Sequence, residues 1–194
     1  MRTDIESRVQ AFPVDLSAYF NNTGATAKSD LARGRLNVWQ NSFPAEELPD
    51  AGIFVATSVP FEFPAIGPGR HDNIRCAGQR VELPAGRWDW IYLLACSERR
   101  SEDVLQLHYT DGTVDAEWLR VSDFWPASPP HFGEVEAIRC EQMHFPRHIQ
   151  PRVGPRIWQQ RVPVPRQHDL AALRLPDNIA IHVFAMTLVN QGLG

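Results

Sequence analysis

Three histidines and three glutamates crowd the stretch from Pro130 to Arg152: His131, Glu134, Glu136, Glu141, His144 and His148, with Arg139, Arg147 and Arg152 among them. Imidazoles and carboxylates at that density can exchange protons with a ligand or hold a metal ion. For acid–base chemistry, Glu134 or Glu136 would be the base and His131 or His144 the acid, with Arg139 steadying developing negative charge. The spacing disfavours a metal. No His-Glu-x-x-His or His-x-His pair occurs. His144 and His148 would share a helix face, but Pro146 lies between them, and on an extended strand they stand roughly 13 Å apart, too far for one ion. No metal ligand and no cofactor is assigned.

Arg139 has its own argument. Residues 134–143 alternate, and Arg139 falls on the parity of Val135 and Ala137, an apolar face where a guanidinium needs a carboxylate or a ligand. Glu46 and Asp123 are the candidate internal partners. Aromatic platforms come next, because a sugar ring is gripped by Trp or Tyr against its C–H face and by polar groups around its rim. Trp39 and Trp125 sit in loop-like surroundings and are the best platforms. Trp88 and Trp90 share one face of a strand, and Trp118 and Trp158 are mid-strand, where core packing is the simpler explanation. His71-Asp72-Asn73 lies where a loop meets a strand. An Asx turn accounts for Asp72 and Asn73, which leaves His71 available to a ligand. The expected ligand-binding set is therefore Trp39, His71, Trp125, His131, Arg139, His144 and His148. His182 interrupts an apolar strand and reads as a satisfied core histidine. Nucleophilic catalysis finds no Gly-x-Ser-x-Gly and no cysteine with a nearby histidine.

The elements that must position these groups are strands. Residues 78–96 organise the chain. A half-buried alternating run is followed by the turn Pro84-Ala85-Gly86 and an aromatic-rich apolar run that reads as a central strand covered on both faces. Asp111-Gly112 between two alternating runs marks a hairpin. Pro60 suits a sheet edge. A first strand is expected over 13–20 and a last, almost wholly apolar one over 179–189, the two pairing with each other. Residues 145–155 read as irregular and 126–133 as a proline-rich loop. No helical period survives three turns. About ten strands with frequent turn signals predict an all-β jelly-roll β-sandwich, one domain over 1–194 with 1–13 as an N-terminal extension.

Composition narrows the partners. The chain has 194 residues, 43% hydrophobic and 22% charged, with a net charge of −4. Acidic balance argues against nucleic acid. Lys28 is the only lysine beside 18 arginines, a bias that fits a GC-rich genome better than a phosphate-binding task. No secretory signal and no membrane-length apolar run is visible, and three widely spaced cysteines (Cys76, Cys96, Cys140) suggest no disulfide framework. The expectation is a cytoplasmic protein with a small-molecule or saccharide ligand, no nucleic-acid or membrane partner, and room for a homodimer through strand edges.

Several segments together resemble a known family: residues 43–49 (Phe-Pro-Ala-Glu-Glu-Leu-Pro), 59–63 (Val-Pro-Phe-Glu-Phe), Asp72-Asn73-Ile74 with Gly78-Gln79, 83–86 (Leu-Pro-Ala-Gly), 109–113 (Tyr-Thr-Asp-Gly-Thr), Val121-Ser122-Asp123, and Leu175-Pro176-Asp177 with the run from Ile181 to Leu188. Their order is similar to the galactose-binding-like, carbohydrate-binding β-sandwich modules appended to bacterial glycoside hydrolases. The resemblance implies a jelly-roll sandwich with affinity for a carbohydrate or glycoside. The competing reading is a small enzyme on the same scaffold, a hydrolase, isomerase or cyclase using the 131–148 cluster.

Overall fold

A strand with water on one side alternates in polarity, whereas one covered on both sides is apolar throughout. Trp90–Ser97 and Ile181–Asn190 are of the second kind, and the fold covers both faces of each. They lie antiparallel side by side, Cys96 opposite His182 and Ile91 opposite Leu188. The sheet grows outward from this pair. Gln10–Val14 pairs with the far edge of Ile181–Asn190, and Ile74–Arg75 adds a short pairing at that strand's start. On the other side come Arg156–Pro163 and then Val135–Arg139. A second, four-stranded sheet runs in the order Val114–Val121, Ser101–Tyr109, Leu170–Arg174, Arg80–Gly86. Every pairing in the two sheets is antiparallel. The coordinates are a computed structural model that describes residues 9–125 and 129–192. The start of the expected N-terminal extension and residues 126–128 of the proline-rich loop lie outside them.

The sheets pack face to face over a core that includes Leu93, Leu105, Leu107, Leu119, Leu173 and Met186. A second core lies on the outer face of the six-stranded sheet. There, Leu94, Ile157 and Phe184 meet Phe43, Phe61, Phe63, Phe124 and Met143, delivered by the long connections before and after the strands. Phe43 is the junction, edge-on to Phe124 at 6.2 Å and to Phe184 at 5.9 Å. The molecule is a β-sandwich with an irregular third layer, and that layer carries most of the candidate chemistry.

Among the described residues ten strands build the two sheets. The Asp111-Gly112 turn joins Ser101–Tyr109 to Val114–Val121, with Gly112 at φ +86° and Asp111 Oδ1 accepting the Thr113 N–H at 2.9 Å. Pro60 lies in a separate two-stranded hairpin, Gly52–Ala56 with Val59–Phe63. First and last strands pair, Phe12 opposite Leu188. Two local expectations need correction. The pairing strand is Gln10–Val14, partly inside the supposed extension, and Ser17–Tyr19 is a 3-10 turn held by the Tyr19 N–H on Leu16 O and the Ser17 N–H on Asp15 Oδ1. Of the stretch 145–155, residues 151–155 are irregular but 145–150 are not. Met143–Phe145 and His148–Gln150 form a hairpin around Pro146-Arg147. Among the described residues no helix is long and apolar enough to cross a membrane.

Candidate functional site

Trp39 owes its position to a short braced turn. Leu36 is fully buried, and its N–H bonds Asn41 O at 2.9 Å, while the Gln40 N–H bonds Asn37 O at 2.9 Å. Asn37 Oδ1 accepts the N–H groups of both Trp39 and Asn41 at 3.1 Å, and Gln40 adopts φ +59°. An asparagine side chain that mimics a backbone turn can fix a loop in this way. The turn lifts Trp39 to 70% exposure.

Trp125 is held from the other side. Buried Phe124 bonds Ser97 O through its N–H at 3.0 Å and accepts the Arg156 N–H at 2.9 Å. Trp125 follows, its N–H on Asp123 Oδ1 at 3.1 Å and its ring edge-on to Phe124 at 6.0 Å. It is 41% exposed. The 143–150 hairpin supplies a third ring, Phe145, on which His148 stacks at 4.7 Å. Trp39, Trp125, Phe145 and Phe124 line one cleft of about 340 Å³ with Asn37, Asn41 and Glu98.

The polar side of the cleft offers acceptors. Asn41 Oδ1 is buried without a hydrogen-bond partner among the described residues. Glu98 stands at the end of Trp90–Ser97, its N–H on Ala180 O at 2.8 Å. Glu98 Oε1 lies 3.4 Å from Arg75 Nη2 and 3.9 Å from Nε2 of the fully buried His182. Behind His182, Asn73 Nδ2 donates to Asp72 Oδ1 at 2.7 Å and to Asn22 O at 3.3 Å, which orients its amide. Asn73 Oδ1 therefore accepts from His182 Nδ1 at 2.9 Å, and Nε2 is the ring nitrogen turned toward Glu98. Aromatic walls with oxygen acceptors suit a ring that has C–H faces and outward hydroxyls.

The 131–148 cluster does not converge. Glu134 is buried because its carboxylate holds the connection before Val135–Arg139: Oε1 accepts the Ser122 N–H at 3.0 Å and Oε2 the Phe132 N–H at 2.7 Å. His131 is exposed, with its N–H on Ser122 Oγ at 3.0 Å. His144 is fully buried, with Nδ1 3.1 Å from Thr26 Oγ1 and Nε2 without a hydrogen-bond partner among the described residues. Arg139 is corrected. The register slips between Glu136 and Ile138, which moves Arg139 off the face of Val135 and onto that of Glu136 and Arg156; it is exposed there and lies 3.8 Å from Glu136 rather than against Glu46 or Asp123. His71 borders a different groove with Ser17, Phe20 and Arg70. The structure thus brings together Trp39 and Trp125, with His148 behind Phe145, and separates the rest. Glu98, Asn41 and Phe145 escape the sequence reading. The available signals were an acid directly after a buried strand and a phenylalanine next to a proline turn.

Buried histidines make stability depend on pH. Burial pushes the pKa of both His144 and His182 below the ordinary imidazole value of 6.5. Each is neutral when folded yet protonates once unfolded, so its contribution is complete above pH 6.5 and is lost as pH falls below it, by up to roughly 1.4 kcal/mol per pH unit per histidine. Asp72 acts in the opposite sense. Burial raises it to about 6 against three N–H donors, a contribution full below 3.8 and lost as pH rises to about 6. The urea midpoint should therefore drop between pH 7.5 and 6, where the histidines act before Asp72 offsets them. A flat midpoint across that interval would show that these rings are not desolvated.

Residues 8–192 match a family model described as an AziU2-like beta-sandwich domain. No curated protein matches the chain.

Proposed function

The chain belongs to the AziU2-like β-sandwich domain family, and on that footing we propose that it binds a carbohydrate or glycoside-like small molecule in the cleft between Trp39 and Trp125. One observation carries the reading. Two tryptophans from connections far apart in sequence are held exposed by dedicated backbone bonds and line the same cleft. A core would have buried them. The ordered resemblance to carbohydrate-binding sandwiches supports the ligand class, and the acceptors Asn41 Oδ1 and Glu98 suit its hydroxyl donors.

A thermal-shift screen against monosaccharides and oligosaccharides tests it, since a ligand at a hundred times its dissociation constant adds about 2.7 kcal/mol. Trp39→Ala and Trp125→Ala should each weaken binding at least about tenfold, while stability without ligand stays within about 0.5 kcal/mol of the parent, as for other surface substitutions. A sugar that binds both variants as tightly as the parent would sink the proposal.

A second reading, acid–base chemistry on the same ligand, is favoured by the place of Glu98 in the cleft, where Arg75 Nη2 lies 3.4 Å from its Oε1. Glu98 would then be the group that meets the ligand, and Arg75 would position it. Glu98→Gln should abolish turnover while leaving binding within a few-fold. Turnover that survives this change would remove the reading.

A further inference from the structure

Away from the tryptophan cleft, Tyr92, Gln159 and Arg161 border a groove of about 240 Å³ together with Thr57. Tyr92 and Arg161 are opposite one another across the Trp90–Ser97 and Arg156–Pro163 strands, and Gln159 is two residues from Arg161 on the same face of the sheet. We propose that this groove is a second ligand site, built for a hydroxylated carboxylate of the uronic-acid class.

Gln159 is the first reason. It is only 6% exposed, and its Oε1 is buried with no hydrogen-bond partner among the described residues. A buried amide oxygen without a donor is costly and calls for an explanation. Its neighbour Gln160 shows the ordinary alternative, with Nε2 donating to Arg120 O at 2.7 Å and Oε1 accepting the Arg161 N–H at 2.9 Å. Gln160 is thus committed to the fold and steadies the Arg161 backbone. Gln159 keeps an acceptor that a ligand hydroxyl would satisfy.

Arg161 is the second. Its guanidinium lies 4.4 Å from the centre of the Trp90 ring, and among the described residues no carboxylate stands within ion-pair distance of it. By contrast Arg33, Arg75, Arg80, Arg87, Arg120 and Arg166 each meet an Asp or Glu. A guanidinium laid on an indole keeps its edge N–H groups for a planar acceptor, and a carboxylate matches that fork with two parallel bonds. The third reason is the rim. Thr57 and Ser58 both take left-handed conformations, φ +45° and +69°, at the hairpin turn where Asn-Gly is the usual pair. A β-branched residue there is strained, and strain of this kind persists where the surroundings hold it and gathers at ligand sites.

The bonding follows directly. The ligand carboxylate accepts from Arg161, and a ring hydroxyl donates to Gln159 Oε1. A neutral sugar would leave Arg161 unused. This site shares no lining residue with the tryptophan cleft and stands or falls separately from it.

The test is a nuclear magnetic resonance titration of the whole protein with sodium D-galacturonate and, separately, D-galactose, following the Gln159 amide and the Trp90 indole. Galacturonate should saturate these signals in the millimolar range, at least about tenfold more tightly than galactose, and should weaken with added salt. Arg161→Lys should lose about tenfold because a single ammonium cannot form the fork. Gln159→Leu should lose binding yet melt higher than the parent, which separates a ligand role from a structural one. Trp39→Ala should bind galacturonate as the parent does. Unmoved signals at tens of millimolar, equal affinity for galactose, or parent-like binding by both Arg161→Lys and Gln159→Leu would each overturn the proposal.

Discussion

Phe43→Ala is expected to lower stability by about 3–5 kcal/mol, the range for a large aromatic removed from a close-packed core. Phe43 has no exposed surface and touches Phe124 and Phe184 edge-on, so its loss opens a cavity and removes two ring contacts together. Its position sets the pattern of damage. Phe184 belongs to the six-stranded sheet and Phe124 to the connection that presents Trp125, so Phe43 ties the irregular layer to the sandwich. Urea unfolding should show the full loss, and amide exchange in residues 36–42 and 143–150 should rise more than in Ser101–Tyr109. Phe12→Ala is the control. That side chain is 41% exposed, and its removal should cost under about 1.5 kcal/mol. A loss at Phe43 no larger than at Phe12 would mean that the outer layer is not packed as described.

Asp72→Ala should cost about 3 kcal/mol for a different reason. The carboxylate accepts the Gly24 N–H at 2.7 Å, the Ala25 N–H at 3.1 Å and the Asn73 side-chain amide at 2.7 Å, all in a buried setting. Alanine strands three donors, each worth about 1 kcal/mol or more when left unpaired. Asp72→Asn should not rescue much, because its amide nitrogen is a donor and would face other donors. Thermal melts of the two variants check this, and an Asn variant as stable as the parent would show that the carboxylate's charge and second acceptor are dispensable. Loss of Asp72 should also free the Asn73 amide to turn, and with it the His182 tautomer behind the cleft.

The sandwich was legible because its signals are local and redundant. Two-sided burial is visible in the unbroken apolar run of Ile181–Asn190, and a turn type is visible in Asp111-Gly112. Trp39 and Trp125 were legible as exposed rings because bulky rings set among turn residues have no strand to bury them. The histidine–glutamate cluster was legible only as composition. A strict alternation assigns Arg139 to an apolar face, but the register of Val135–Arg139 slips between Glu136 and Ile138, and Val135 and Glu136 both face water. Glu134 reads as a base from its type, whereas its role depends on two backbone N–H groups whose position no local pattern encodes. Glu98 enters the cleft through pairings with residues some eighty positions away, which spacing along the chain does not reveal.

The place of Ile181–Asn190 in its sheet also orders events during synthesis. This strand sits between Gln10–Val14 and Trp90–Ser97, so the pairing edge of Gln10–Val14 and the facing edge of Trp90–Ser97 both stay open until residue 190 has left the ribosome, although Arg156–Pro163 can cover the other edge of Trp90–Ser97 earlier. Until then the apolar edge of Trp90–Ser97 is open to other chains, a state that invites aggregation. Closure also joins residues nearly the whole chain apart, which makes it slow. Nascent-chain yield should therefore depend on holding that edge quiet until the last strand arrives.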